Sequence, residues 1–328
     1  MAIKGQTALT LADWAKRVDP DGKVDKIVEI LGQTNEILDD MLFVEGNLPT
    51  GHRTTIRTGL PQATWRMLNY GVKQGKSTTA QITDAIGMLE TYSEIDKSLA
   101  DLNGNTSEFR LSEDHAFLEG MNQQMAETVF YGDATLNPQR FTGLSARYND
   151  MSAKNAQNII DAGGTGSNLT SIWLVVWGAN TVHGIFPKGQ KAGINHEDKG
   201  QQTLTDADGG KYEGYRTHYK WDCGITVRDW RYAVRICNID TTTLDSDENA
   251  ANLLKLIVKA FHRIPNLKLG KAALYGNRTV MEYIDVQALE KASLAVKTQE
   301  TEGIFWQSIR GVPLRTCDAL LDTESQVV

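Results

Sequence analysis

Gly71-Val-Lys-Gln-Gly75-Lys76-Ser77 comes nearer to a known chemical site than any other stretch of this chain. A phosphate-binding loop has the form Gly-x-x-x-x-Gly-Lys-Ser/Thr, with backbone N–H groups around the phosphates and a helix opening behind them. This stretch is one residue short, and neither an apolar strand pattern nor a helix pattern flanks it. Gly184–Gly189 has the glycine spacing, but Gln190 stands where the lysine is required. Asp19-Pro-Asp21-Gly22 and Asp245-Ser-Asp247-Glu248-Asn249 resemble the openings of calcium loops. Lys23 occupies a ligand position in the first, and neither carries a glutamate at the twelfth position, so helix capping is the expected role. Asp206-Ala-Asp208-Gly209-Gly210 reads as a turn between strands. His52, His115, His183, His196, His218 and His262 are isolated, with no pair at metal-ligand spacing. No Gly-x-Ser-x-Gly elbow is present. Cys223, Cys237 and Cys317 suit neither a disulfide framework nor a metal site, and fit a protein made in reducing cytoplasm. No catalytic residue, metal or cofactor is expected.

Charge carries the stronger signal. The formal net charge is -7, yet the 38 residues between Glu45 and Asp84 contain no acid. They hold Arg53, Arg57, Arg66, Lys73 and Lys76, together with five glycines and two prolines. Such a segment cannot bury a core of its own, and it reads as a long basic hairpin or extended loop. It reaches either for a nucleic acid or for the acidic flank of another copy. Asp84, Glu90, Glu94, Asp96 and Asp101 follow directly. A second acid-free stretch, between Glu248 and Glu282, carries Lys255, Lys259, Arg263, Lys268, Lys271 and Arg278. Segregation of this kind is either a pair of solvated faces or self-complementarity between copies, setting register and encounter rate.

The elements around these segments follow from periodicity. Val24, Ile27, Val28, Leu31, Ile37, Leu38 and Met41 recur at helical spacing, so residues 22–41 read as one helix or two short ones. Thr106 or Ser107 opens a long helix that Gly132 stops, with Leu111, Leu118, Met121, Met125 and Val129 as its apolar stripe. Ser171–Trp177 is a buried strand, joined through a Gly178-Ala-Asn180 hairpin turn to a second at Thr181–Phe186. Tyr212–Trp221 and Cys223–Ile236 alternate apolar and polar residues, which completes an antiparallel β block. Trp173, Trp177, Tyr215, Tyr219, Trp221, Trp230 and Tyr232 lie in that block among Arg216, Lys220, Arg228, Arg231 and Arg235. An aromatic core with a charged outer face is the favoured reading; a single-strand nucleic-acid platform is the other. Helices return at Asn249–His262 and after Asn277, and Ile304–Leu314 forms a last strand pair. The fold class is α+β. With 328 residues, 41% apolar and 23% charged, the chain has the composition of a globular protein with one large core or two smaller ones. The first residues lack an apolar h-region, so no secretory signal is expected, and the run Ile172–Trp177 is too short to span a bilayer.

The order of segments resembles a known family. A helical N-terminal arm opens with Thr10-Leu-Ala-Asp-Trp-Ala-Lys-Arg17, and Glu45-Gly-Asn-Leu-Pro-Thr-Gly-His-Arg53 leads into the basic loop with Ala63-Thr-Trp65-Arg66. The long helix then ends in Phe130-Tyr-Gly-Asp133 and continues to Asn137-Pro138-Gln139-Arg140-Phe141-Thr-Gly143-Leu144. Gly311-Val-Pro313-Leu-Arg-Thr-Cys-Asp318 closes the chain. This resembles the major capsid protein of tailed bacteriophages, podovirus-type, with the Hong Kong 97-like fold. The resemblance implies an N-terminal arm at 1–43 and an extended loop (E-loop) at 44–84. It implies a peripheral domain at 85–150 and 241–303 with its spine helix at 106–131. A β-rich axial and peripheral part then covers 151–240 and 304–328. Arg140 stands where the family more often has Gly. Arg228-Asp-Trp230-Arg231 precedes the Gly-x-Pro strand, reversing the usual order, which suggests a permuted path that would place 311–318 beside strands more than about 70 residues earlier.

The resemblance implies a structural subunit, not an enzyme. It would self-assemble as hexamers and pentamers into an icosahedral head around double-stranded DNA. Implied partners are a portal, separate scaffolding and decoration proteins, and packaged DNA through weak non-specific contact; no membrane is involved. Synthesis would be in the host cytoplasm and residence in the virion capsid. No coiled-coil pattern precedes residue 20, so a fused scaffolding segment is not expected. Arg53, Arg57, Trp65, Arg66, Lys73 and Lys76 are the candidate assembly contacts. The rival readings are a nucleic-acid-binding protein using the basic arm and the aromatic block, and an enzyme whose site is built from dispersed residues.

Overall fold

β6 (Leu169–Trp177) is buried at every residue, and its alternation divides the protein's interior in two. A computed structural model describes residues 32–102, 104, 106–206, 208–244, 251–290, 296–301 and 304–328. In chain order, α1 (Ile37–Asp40) and β1 (Phe43–Glu45) lead to the hairpin of β2 (Gly51–Gly59) and β3 (Thr78–Ala85). β4 (Gly87–Asp96), α2 (Lys97–Ala100) and the 26-residue α3 (Thr106–Tyr131) follow. Next come β5 (Ile159–Asp161), β6, β7 (Val182–Phe186), β8 (Asn195–Thr205), β9 (Lys211–Val227) and β10 (Ala233–Asp240). α4 (Leu253–Arg263), β11 (Lys271–Gly276), α5 (Arg278–Glu290), β12 (Val296–Thr301), β13 (Ile304–Ile309) and β14 (Val312–Thr316) complete the order.

Successive side chains of a strand point to opposite faces. Trp173, Val175 and Trp177 of β6 therefore share one core with Met121, Met125 and Val129 of α3. Ile172, Leu174 and Val176 share the other with Leu253, Ile257 and Phe261 of α4 and Val280 and Ile284 of α5. β10 and β11 divide the same way: Cys237 and Tyr275 face α3, while Ile236 and Leu274 face α4 and α5. The sheet is the middle of three layers.

The sheet is mixed, not antiparallel as the sequence suggests. β6 runs antiparallel to β10 and β11, but β11 pairs β14 in parallel and β10 pairs β5 in parallel. β7 is no hairpin partner of β6: one parallel bridge, Trp177 to Val182, joins them, and β7 turns to pair β9. β8 and β9 form the long hairpin expected from Asp206-Gly210, whose Asp206 carboxylate accepts from the backbone of Asp208 and Gly210. β12, β13 and β14 join the sheet that contains β6, so residues 304–318 share a β region with 171–236. β14 lies beside β11, with Leu274 opposite Leu314, so among the described residues no strand more than 70 residues earlier pairs with it; the long-range pairing of 311–318 is a single bridge from Cys317 to Asn35.

The spine helix begins at Thr106 and ends at Tyr131, as the capping residues predict. At 1.5 Å per residue it is about 39 Å long. A side chain at Gly132 or Gly143 would collide with the Thr128 carbonyl, so these glycines let residues 141–143 cross the helix end closely. Leu111 is a correction to the expected stripe: it is 59% exposed. The helix first meets the main core at Leu118, which is half-buried, and enters it fully from Met121. Its first turns are held by Phe109, in a small cluster with Ile95 and Leu99, and by an ion pair from Arg110 to Asp198.

α4 opens at Leu253, capped by Asn252, and Asn277 caps α5 by accepting from the Val280 N–H. Ile37 and Met41 are buried, with a single helical turn between them. Val24, Ile27, Val28 and Leu31 lie outside the described residues, as do Asp19–Gly22 and residues 245–249.

Two buried ion-pair clusters tie distant segments to the sheet. Asp40 accepts from Lys271 Nζ at 2.5 Å, Tyr275 Oη at 3.0 Å and Arg315 Nε at 3.1 Å, which fixes the segment leading into the loop. Arg235 and Glu324 pair at 2.8 Å, both nearly inaccessible, and Glu324 also accepts from Ser171 and Tyr131. Removing Arg235 or Glu324 would leave the other charge buried and uncompensated, which costs about 3–5 kcal/mol.

Candidate assembly interface

The loop from 44 to 84 is a stiff hairpin at its root and extended chain at its tip. β2 and β3 pair from Gly51–Ala85 to Gly59–Thr78. The strands approach so closely that a Cβ on Gly51 would lie 2.4 Å from the Asp84 carbonyl oxygen. Asn47 grips Arg53 twice, accepting from its N–H and donating to its carbonyl, both at 2.7 Å. Asp84 is buried and pairs with Arg147 at 2.8 Å, which fastens β3 to the body.

His52 meets His183 of β7 edge-on, with ring centroids 5.8 Å apart. His183 is 1% exposed, and neither ring nitrogen has a hydrogen-bond partner. Burial, with His52 and Arg228 adding to it, pulls its pKa down to about 4, so it is neutral at pH 7. The loop root therefore packs on an uncharged histidine.

The structure places all six candidate residues on this one hairpin. Arg53, Arg57, Trp65, Arg66, Lys73 and Lys76 are all exposed. Arg53 donates to Thr83 Oγ1 at 3.3 Å, and none of the five cations enters an ion pair among the described residues. From Leu60 to Thr79 every residue is exposed. Trp65 is fully so, at 104%.

Sequence reasoning saw the charge of this tip and missed its apolar content. Leu60, Met67, Leu68, Tyr70 and Val72 are exposed with Trp65. These residues were visible in the sequence, but without helical or strand period they gave no core signal.

The acids that follow the loop have partners within their own subunit. Asp84, Glu94 and Asp101 pair with Arg147, Arg216 and Lys97 of the same subunit. Glu90 accepts from Lys220 and His218; burial raises its pKa, but these hydrogen bonds outweigh that and hold it below the usual carboxylate value. Most acids after the loop are thus neutralised internally and do not wait for a neighbour.

The three cysteines are inert. Burial pushes the thiols of Cys223, Cys237 and Cys317 up to about 12, so none is a nucleophile at neutral pH. Among the described residues no group of three His, Cys, Asp or Glu could hold a metal, and no helix is long and apolar enough to cross a membrane. Gly71–Ser77 is exposed loop with no helix behind it. The aromatic block is core: Trp173, Trp177, Tyr219, Trp221 and Tyr232 are buried, which removes the stacking platform.

No curated protein sequence matches the chain. Among solved structures, that of bacteriophage Epsilon15 is 35% identical, covers 100% of this chain and 99% of that chain, and superposes with a TM-score of 0.80. The capsid of bacteriophage JBD30 is 10% identical over 90% of this chain and 95% of that one, with a TM-score of 0.48. A native GTA particle capsid is 12% identical over 67% and 95%, with a TM-score of 0.46. The fold is the α+β Hong Kong 97-like capsid fold, and the chain is a shell-forming structural subunit. The model of the family "Major capsid protein GP7" matches residues 19–328, and the chain belongs to that family.

Proposed function

We propose that this chain builds the icosahedral head of a tailed bacteriophage around double-stranded DNA, and that the loop at 44–84 holds neighbouring copies together in hexamers and pentamers. One observation carries the reading: six large apolar side chains stand exposed on a segment with no core of its own. Exposed apolar surface of that extent marks a contact site. Arg57, Arg66, Lys73 and Lys76 steer the approach and fix register, while Trp65 and its apolar neighbours supply the holding energy. The subunit's role is structural, with no catalytic step. Residues 1–43 act as the arm and 106–131 as the spine of the subunit. A portal, a separate scaffolding protein and decoration proteins complete the particle. The chain is made in the host cytoplasm and ends in the virion shell.

The double variant Arg57→Glu/Arg66→Glu tests this. Both residues touch no core, so subunit stability should change by less than about 1 kcal/mol. Shells should be lost, seen by negative-stain microscopy. Normal shells from the variant, or an unfolded subunit, would sink the reading.

A further inference from the structure

Most basic side chains of the body are paired within the subunit: Arg110, Arg147, Arg216, Lys220, Arg235, Lys271, Arg278 and Arg315 each meet a carboxylate. The helix α4 is an exception. Its buried face, Leu253, Leu256, Ile257, Ala260 and Phe261, packs on the sheet. Its other face carries Lys255, Lys259 and Arg263, four residues apart and all exposed. None of the three enters an ion pair among the described residues. Lys268 extends the patch just beyond the helix, also exposed and in no ion pair among the described residues. Arg310, in the turn between β13 and β14, donates to His262 Nε2 at 3.3 Å and brings a further cation to the same end of the helix. No acid occurs between residues 251 and 281.

We infer that this face of α4 is a polyanion-binding surface, and that its occupant is the phosphate backbone of the enclosed DNA duplex. The inference rests on the reading of the chain as a head subunit. Spacing supports it. Four residues of helix advance about 6 Å, so the three cations span about 12 Å on one face. A duplex strand presents one phosphate per about 3.4 Å of axis, so that span faces three or four phosphates. Composition separates this patch from the loop. The loop's cations are interleaved with exposed tryptophan, tyrosine, leucine and methionine, as at a protein contact. α4 itself exposes no large apolar residue among its cations; beyond the helix, Leu269 beside Lys268 is 48% exposed. The helix surface offers charge alone, which suits a uniform polyanion read without sequence. A few contacts per subunit give weak binding, and repetition over a shell makes it collective.

The experiment uses full-length subunits and a labelled random-sequence 20-base-pair duplex, with affinity followed against salt. Three chains are compared: the natural one, Lys255→Gln/Lys259→Gln/Arg263→Gln, and the loop variant Arg57→Gln/Arg66→Gln/Lys73→Gln/Lys76→Gln. Neutralising three phosphate contacts should reduce the slope of log K against log salt by about 2.7. The loop variant should keep the natural slope. The α4 variant should still fold, by melting temperature, and still form shells with its assembly partners. An unchanged slope in the α4 variant, a slope lost in the loop variant instead, or no binding by the natural chain at low salt would overturn the inference. A folded α4 variant that forms no shells would also overturn it, assigning the face to contacts between copies. Failure of the natural chain to form shells would sink the head-subunit reading separately.

Discussion

Trp65→Ala isolates what the loop contributes to assembly. In the single subunit Trp65 is 104% exposed, so truncation should leave subunit stability within about 0.5 kcal/mol of the natural chain. On the role proposed for the loop, the indole is buried on a neighbour in the shell. A tryptophan covers roughly 150–250 Å², and at about 25 cal/mol per Å² its gross burial amounts to about 4–6 kcal/mol. Alanine retains part of that area, and truncation of a central aromatic at an interface typically costs about 2–4 kcal/mol. Each subunit donates one such side chain, so the loss is about 3 kcal/mol per subunit. This raises the critical concentration for shell formation about a hundredfold. The assay is sedimentation of shells from free subunits across a concentration series, with subunit melting followed in parallel. A Leu68→Ala variant should move the same way by a smaller amount. An unchanged critical concentration for Trp65→Ala would show that the tip hangs free in the shell. A lowered subunit melting temperature would show that Trp65 packs within its own chain. Either result refutes the reasoning.

Two further expectations follow from burial. Val129→Asp should abolish folding, because Val129 is fully buried against the sheet and an unpaired carboxylate there costs several kcal/mol; Leu111→Asp on the same helix should shift stability by less than about 0.5 kcal/mol, and circular dichroism with thermal melting separates the two. Stability should also fall with acid through His183, whose pKa drops from 6.5 in the unfolded chain to about 4 in the folded one. The unfolded state takes up its proton first, so the penalty is absent above pH 6.5 and accumulates as pH falls towards 4, reaching about 3 kcal/mol. Urea unfolding at pH 7 and pH 4.5 should show a larger acid loss for the natural chain than for His183→Gln, and equal losses would refute a neutral buried imidazole at the loop root.

The parts of the fold legible in the sequence are those with local causes. Gly132 ends α3, Asp206-Gly210 turns β8 into β9, and Asn277 opens α5, each through contacts within a few residues. β6 announced itself by apolar continuity. Parallel pairing of β11 with β14 and of β10 with β5 could not be read, because parallel partners are joined by long crossovers that leave no turn signature. Leu111 misled because helical spacing marks a stripe without saying where along the helix the core begins. The Asp40 cluster joins residues up to 275 positions apart, so no spacing rule reaches it. Arg235 did leave a trace. A cation inside the run Ala233-Val-Arg-Ile-Cys237 must be buried or must break the strand, and burial demands an acid; Glu324 is that acid.

The candidate interface was legible in outline and incomplete in chemistry. An acid-free, glycine-rich stretch in a protein of charge -7 pointed to the loop, and all six residues chosen there prove exposed. The partner assumed for them, an acidic flank after the loop, is mostly closed by internal ion pairs. Charge counting along a sequence cannot distinguish a paired carboxylate from a free one. Once pairing is known, the cations sort by use. Those on the body that meet carboxylates stiffen one subunit and are spent there. Among the described residues, the larger groups of unpaired cations lie on the loop and on α4, with a smaller pair, Lys188 and Lys191, before β8. The loop mixes them with apolar side chains and so suits a protein surface. α4 carries them alone and so suits a phosphate backbone. The two acid-free stretches of the sequence, which look alike by composition, are separated by the apolar residues between their charges.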